Sequence, residues 1–164
     1  YRGIAGIALG ACGKSANEIV MEDGKLRMNG PAVAHFAIHK VPEFVSASLE
    51  RAEITMDQVD LVLLHQANRY LVDLIYQTLK VPTSKQYTYL DMIGNTACAS
   101  SPILLAQAWR TGRLPTGSKT MLVAFGNGLS WGMVLLAWPH TIMPATVGSV
   151  ELEDLKIIYG PRGK

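Results

Sequence analysis

Three short polar stretches stand out in this chain because their side chains donate hydrogen bonds without bringing a charge. They are His65-Gln66-Ala67-Asn68, Gly94-Asn95-Thr96 and Gly126-Asn127-Gly128. A neutral imidazole offers one N–H and a carboxamide offers two. A glycine-rich turn adds backbone N–H groups, the donors from which oxyanion holes are built. Each stretch also has an ordinary structural reading. His65 can be a polar cap on a strand end, Asn95 or Thr96 a helix N-cap, and 126–128 a bulged hairpin loop. What favours chemistry is that all three fall at the end of an expected strand or the start of an expected helix. At such edges of open α/β sheets ligands bind.

The elements that must position these residues follow from hydrophobic pattern. Residues 2–9 are apolar and glycine-studded and end in a turn at 10–14. Glu22-Asp23-Gly24 reads as the turn of a hairpin between 18–21 and 25–28. Residues 31–51 have helical spacing at Val33, Phe36, Val41, Val45 and Leu49, and Pro42 is expected to kink that helix or to start a second one. Thr55 and Gln58 have the spacing of a capping box. Leu61-Val62-Leu63-Leu64 reads as a strand buried on both faces. A helix over 68–80 follows, with Leu71, Leu74, Ile75 and Leu79 inward. A short strand is expected at 87–90, a helix at 96–111 with Gly112 at its C-terminal end, and two strands at 120–125 and 131–138, the last pair antiparallel. Alternation of strands and helices predicts an α/β fold with a mainly parallel sheet. The segment 139–164 is less periodic and reads as a C-terminal extension of a domain spanning 1–138.

Composition narrows the function classes. The chain has 164 residues, 49% of them hydrophobic and 17% charged, which fits one folded domain and not a disordered segment. A formal net charge of +2 gives no reason to expect nucleic acid as a partner. No apolar run approaches the roughly 18 residues of a membrane span, and no N-terminal stretch reads as a signal peptide. The two cysteines, Cys12 and Cys98, have neither metal-ligand nor disulfide-framework spacing, which fits a reducing compartment. The chain opens on Tyr1 without a methionine, so a fragment is expected. Two familiar motifs are set aside. Residues 8–15 loosely fit a phosphate loop but lack the long helix that must follow it. Gly128, Ser130 and Gly132 have the spacing of a nucleophile elbow, but a strand, not a helix, is expected after Ser130, and no acidic residue lies between Ser130 and His140.

Taken in order, Leu64-His65-Gln66-Ala67-Asn68, Gly94-Asn95-Thr96 and residues 124–132 together resemble the C-terminal half of β-ketoacyl-acyl-carrier-protein synthase III, a thiolase-fold condensing enzyme; Met28-Asn29-Gly30 fits as well. The resemblance runs from about Gly3 to Trp138. It implies a thiolase-like half with a mixed, mainly parallel five-stranded sheet and helices on both faces. It implies a cytoplasmic homodimeric acyltransferase of fatty acid biosynthesis that needs no cofactor or metal and uses acyl-CoA and malonyl-acyl-carrier protein. His65 and Asn95 match the pair that hydrogen-bonds the malonyl thioester oxygen, and the Asn127 N–H matches an oxyanion-hole position. Asn29, Gly30, Ala67 and Asn68 fall in segments that line the pantetheine tunnel, with Arg69 at its mouth. The cysteine nucleophile belongs to the N-terminal half, which is the expected partner. Cys12 and Cys98 do not match its motif and are expected to be small buried hydrophobes. Asn127 stands where the family has a glycine, and 139–164 exceeds the usual end. The same resemblance admits a non-decarboxylating acyltransferase acting on an alcohol or amine, with His65 as general base, or a non-catalytic partner half.

Overall fold

The computed structural model describes residues 3–138 and 157–159. Strand β1 (Ile4–Ala11) is followed by a 3₁₀ turn (Gly13–Glu18) and the hairpin β2 (Ile19–Glu22) and β3 (Lys25–Met28). Helix α1 (Gly30–Arg51) leads through a capping-box turn at Met56–Gln58 to β4 (Leu61–Leu64) and α2 (Arg69–Thr78). A one-turn helix α3 (Leu90–Ile93), α4 (Ser100–Arg110) and the strands β5 (Lys119–Gly126) and β6 (Ser130–Ala137) follow, and β7 (Ile157–Tyr159) comes last. The rest of the expected extension lies outside the described residues; β7 pairs with β1.

The sheet has five strands in the order β4-β5-β6-β1-β7. It is mixed, as the resemblance implies, but its parallel content is smaller than strand–helix alternation predicts. Only β4 with β5 and β1 with β7 run parallel, while β6 is antiparallel to both β5 and β1. The tight loop joining β5 to β6 reverses the chain, and β6 then takes β1 on its other side.

Alternation along β4 sorts its side chains between two layers. Val62 and Leu64 join the core formed with α1 and α2, while Leu61 and Leu63 face Leu104 and Ala108 of α4. Helices therefore cover both faces of the strand that carries the site.

Helix α1 starts with Asn29 accepting the Ala32 N–H at 3.3 Å and Pro31 in the first turn, where its missing N–H costs nothing. Pro42 does not start a second helix: α1 runs unbroken through it. Val41, Pro42, Phe44 and Val45 are all buried, so packing on the sheet outweighs the lost intrahelical bond. The strand expected at 87–90 does not form. Gln86 makes a single bridge to Val62, and Leu90 begins α3. The helix expected from residue 96 begins at Ser100, after a 3₁₀ turn, and Gly112 follows its end at φ 72°.

Candidate functional site

His65 is the first residue beyond β4, and its N–H continues the parallel ladder by donating to the Val123 carbonyl at 2.8 Å. Its ring is half-buried and meets Phe125 edge-on, with centroids 5.4 Å apart at 88°. Burial pushes the imidazole pKa below the ordinary value of 6.5. The ring is thus kept neutral near pH 7 by loss of water. Unfolded chain binds a proton at His65 near pH 6.5 while folded chain does not. Stability therefore declines as pH falls from 6.5 toward the lower folded value and levels off beneath it. Denaturant titrations of the native chain should show this loss, His65→Phe should abolish it, and the ring's NMR titration should have its midpoint below 6.5. A midpoint above 6.5 would contradict the assignment.

Asn95 lies on an exposed loop after α3 and Gly94, whose φ of 63° suits glycine. Its Oδ1 accepts the Ala97 N–H at 2.9 Å. With the oxygen so engaged, the amide hydrogens make no hydrogen bond among the described residues and can donate.

Two side chains tie the His65 junction to the segment leading to Asn95. Gln66 is fully buried; its Nε2 donates to the Leu64 carbonyl at 2.8 Å and its Oε1 accepts the Tyr89 N–H at 3.0 Å. Arg69 donates to Thr88 Oγ1 at 3.0 Å and pairs with Asp91. The guanidinium assigned to the tunnel mouth is thus engaged with α3. Two turns further along α2, the Tyr76 hydroxyl donates to the Val62 carbonyl at 2.8 Å and accepts the Tyr87 N–H at 3.4 Å. Burial holds that hydroxyl in its neutral form. Sequence reading passed over Gln66 and Tyr76 as contributors. The available signal was a carboxamide directly after a strand of four buried apolar residues, a place where an unsatisfied polar group is costly.

The loop between β5 and β6 closes with Gly126 opposite Ser130. Asn127 is exposed at its tip, and its N–H makes no hydrogen bond with the described residues. Its carbonyl accepts from Ser130 Oγ at 2.6 Å, and Ser130 opens β6, so the elbow motif has no helix behind it. Likewise the loop at residues 8–15 leads only into a 3₁₀ turn. Asn29 and Asn68 are exposed N-caps of α1 and α2, with the Asn68 Oδ1 accepting the Leu71 N–H at 2.9 Å. Gly30 is the first residue of α1, and Ala67 packs against the main core.

The cysteines depart from expectation. Cys98 is exposed, not a buried hydrophobe, because it lies in the 3₁₀ turn before α4, none of whose residues is buried. Cys12 is half-buried and its thiol, hydrogen-bonded by Ser15, is pushed to a lower pKa. It lines a cavity of about 310 Å³ with His35, Phe36, Leu129 and Trp131; His65, Asn95 and Asn127 are not on its walls.

A mixed α/β sheet covered by helices on both faces, with a histidine at the end of one strand and a glycine-rich loop at the end of its neighbour, defines a thiolase-like half. A beta-ketoacyl-[acyl-carrier-protein] synthase III from Microcystis aeruginosa is 41% identical over 113 residues, which is 69% of this chain and 34% of that protein. One from Staphylococcus saprophyticus is 36% identical over 139 residues, 84% of this chain and 44% of the relative. The crystal structure of 3-oxoacyl-(acyl carrier protein) synthase III from Pseudomonas aeruginosa PAO1 superposes with a TM-score of 0.78 at 30% identity, covering 86% of this chain and 45% of that one. Residues 49–138 match the family described as 3-Oxoacyl-[acyl-carrier-protein (ACP)] synthase III C terminal, and the chain belongs to it. The chain spans 34% to 44% of the length of these curated relatives.

Proposed function

We propose that this chain is the C-terminal half of a cytoplasmic, homodimeric β-ketoacyl-acyl-carrier-protein synthase III-type enzyme of fatty acid biosynthesis. It joins an acyl group, taken from acyl-CoA, to malonyl-carrier protein by decarboxylative Claisen condensation. Malonyl thioester loses carbon dioxide, and the electrons of the broken C–C bond pass to the alpha carbon and the thioester oxygen. His65 and Asn95 donate to that oxygen. Because neither donor is charged, they favour the developing enolate without locking the neutral thioester in place, which is the differential binding that lowers a barrier. The carbanion then attacks the acyl thioester carbon, whose oxygen is met by the Asn127 N–H; the tetrahedral intermediate collapses by breaking the C–S bond, and the cysteine of the other half leaves as thiolate. The leaving carboxylate supplies the carbanion, so the steps as written need no cofactor or metal.

Asn29, Gly30, Ala67 and Asn68 fit a wall for the carrier's pantetheine arm, formed by the starts of α1 and α2. Arg69 reaches the same place, at the cost of its pairing with Asp91. Among the described residues no helix is long and apolar enough to cross a membrane.

The observation that carries this reading is a half-buried His65 kept neutral by burial at the end of β4, with Gln66 beside it tied to Tyr89 on the segment that leads to Asn95, whose Oδ1 accepts the Ala97 N–H. The proposed nucleophile is a cysteine of the other half, since Cys98 is exposed and Cys12 faces a cavity that excludes His65 and Asn95. Mass spectrometry of this chain after incubation with acyl-CoA should therefore find no stoichiometric acyl group on Cys12 or Cys98. Acylation at either would overturn the assignment. In the enzyme containing this chain, carbon dioxide release from labelled malonyl-carrier protein tests the reaction itself, and absence of release would sink it.

A further inference from the structure

We infer that Gln66 is a positioning residue that sets where Asn95 stands relative to His65; this rests on the reading of those two side chains as donors to one thioester oxygen. Gln66 is fully buried, and a carboxamide there costs free energy unless its polar atoms are met. An apolar residue of the same length would fill the space without that cost, so packing alone does not explain the amide. Its two hydrogen bonds run to different segments. Nε2 holds the Leu64 carbonyl, one residue before His65, at 2.8 Å. Oε1 holds the Tyr89 N–H, at the N-cap residue just before α3, at 3.0 Å.

That second anchor acts through a lever. Leu90–Ile93 make one turn, and Asn95 follows it after Gly94. A four-residue helix is about 6 Å long, so a tilt of about 15° at Tyr89 moves its far end by roughly 1.5 Å. Misplacement of about 1 Å at a reacting centre can cost about 10²-fold in rate. The other tie across this gap, Arg69 with Thr88 and Asp91, is exposed, with side-chain exposures of 44% and 79% for the ion pair, and water and salt weaken it. Tyr76 fixes the segment two residues earlier, at Tyr87. Tyr89 also packs its ring on the cluster of Leu61, Leu63 and Leu104, but among the described residues Gln66 makes the last buried side-chain hydrogen bond before α3.

The test uses Gln66→Met, which keeps the length and loses both bonds, and Gln66→Glu, which keeps an acceptor for the Tyr89 N–H. Hydrogen exchange at Tyr89 is followed in this chain. Carbon dioxide release and acyl uptake are followed in the enzyme containing it. In Gln66→Met, Tyr89 exchange should quicken and kcat for carbon dioxide release should fall roughly 10–100-fold, with KM and acyl uptake changed by no more than about twofold. Gln66→Glu should keep Tyr89 slow and recover at least about tenfold of the lost rate.

Release within about twofold of the native rate in Gln66→Met, despite fast Tyr89 exchange, would reduce Gln66 to a structural residue and overturn the inference; so would an equal loss in both half-reactions. Should Gln66→Met not fold, Gln66→Glu decides: slow Tyr89 exchange with release reduced by more than about 10²-fold would overturn it, and slow exchange with release largely kept would support it. Failure of the underlying reading gives a different pattern. His65→Ala would then leave carbon dioxide release unchanged, whatever Tyr89 does in the Gln66 variants.

Discussion

Replacing His65 or Asn95 with alanine is expected to slow carbon dioxide release from malonyl-carrier protein by roughly 10²–10³-fold, the usual consequence of removing one oxyanion donor, or about 3–4 kcal/mol of transition-state stabilisation. Acyl uptake from acyl-CoA should barely change, because in the proposed reaction the negative charge of that step develops on another oxygen, the one given to the Asn127 N–H. If both side chains serve one oxygen, as proposed, the double variant should lose less than the product of the two single losses. Pre-steady-state measurement of the two half-reactions separates these outcomes. Equal damage to both steps, or to neither, would remove the roles given to His65 and Asn95. Loss from His65→Ala alone would confine decarboxylation to the imidazole.

Gly10→Ala is expected to destabilise the chain by about 1–3 kcal/mol through overpacking, with no change to any group in the site. Gly10 pairs with Trp131 across β1 and β6, and the indole lies over the glycine. A methyl group there would stand 2.3 Å from Trp131 Nε1 and 2.4 Å from its Cε2. The indole has little room to yield, because Phe36 and Phe44 hold it with ring centroids at 5.2 and 6.1 Å. For a domain of this size each kcal/mol lowers the melting temperature by roughly 2–4 °C. Thermal unfolding of Gly10→Ala beside the native chain measures the loss, and an unchanged melting temperature would mean that the aromatic cluster shifts freely. Trp131→Ala in the Gly10→Ala background should be less harmful than the sum of the single changes, since each then relieves the other.

Much of the site's scaffolding was legible because it rests on local pattern. Four apolar residues before His65 announced a strand buried on both faces, and all four are buried. Asparagine before an apolar stripe announced the start of α2, and Asn68 caps it. The chain reversal between β5 and β6 followed from glycines between two apolar runs.

What stayed hidden depends on partners distant in sequence. Pro42 forbids one backbone bond, and only the core packed around it shows why α1 continues. Residues 87–90 have the look of a strand, yet the neighbouring segment meets β4 at a single bridge, between Gln86 and Val62, and is held mainly by side chains of α2 and of the residue after His65. The antiparallel placement of β6 beside β1 joins the two ends of the described chain, and no local period encodes it. Gln66 was seen as a letter in a motif; its function as a bridge required the position of Tyr89.

Strand β4 stands at the border of the sheet, with β5 on one side only. Four buried aliphatic residues with a free row of amides would be an invitation to pair with another chain. The segment after α2 closes that border without becoming a strand: Gln86 makes one bridge to it, and the Tyr76 hydroxyl occupies the Val62 carbonyl. The same arrangement that leads the chain toward Asn95 thus blunts this edge against pairing with a further strand. Loosening it, as in a Tyr76 substitution, should be felt as insolubility before it is felt in catalysis.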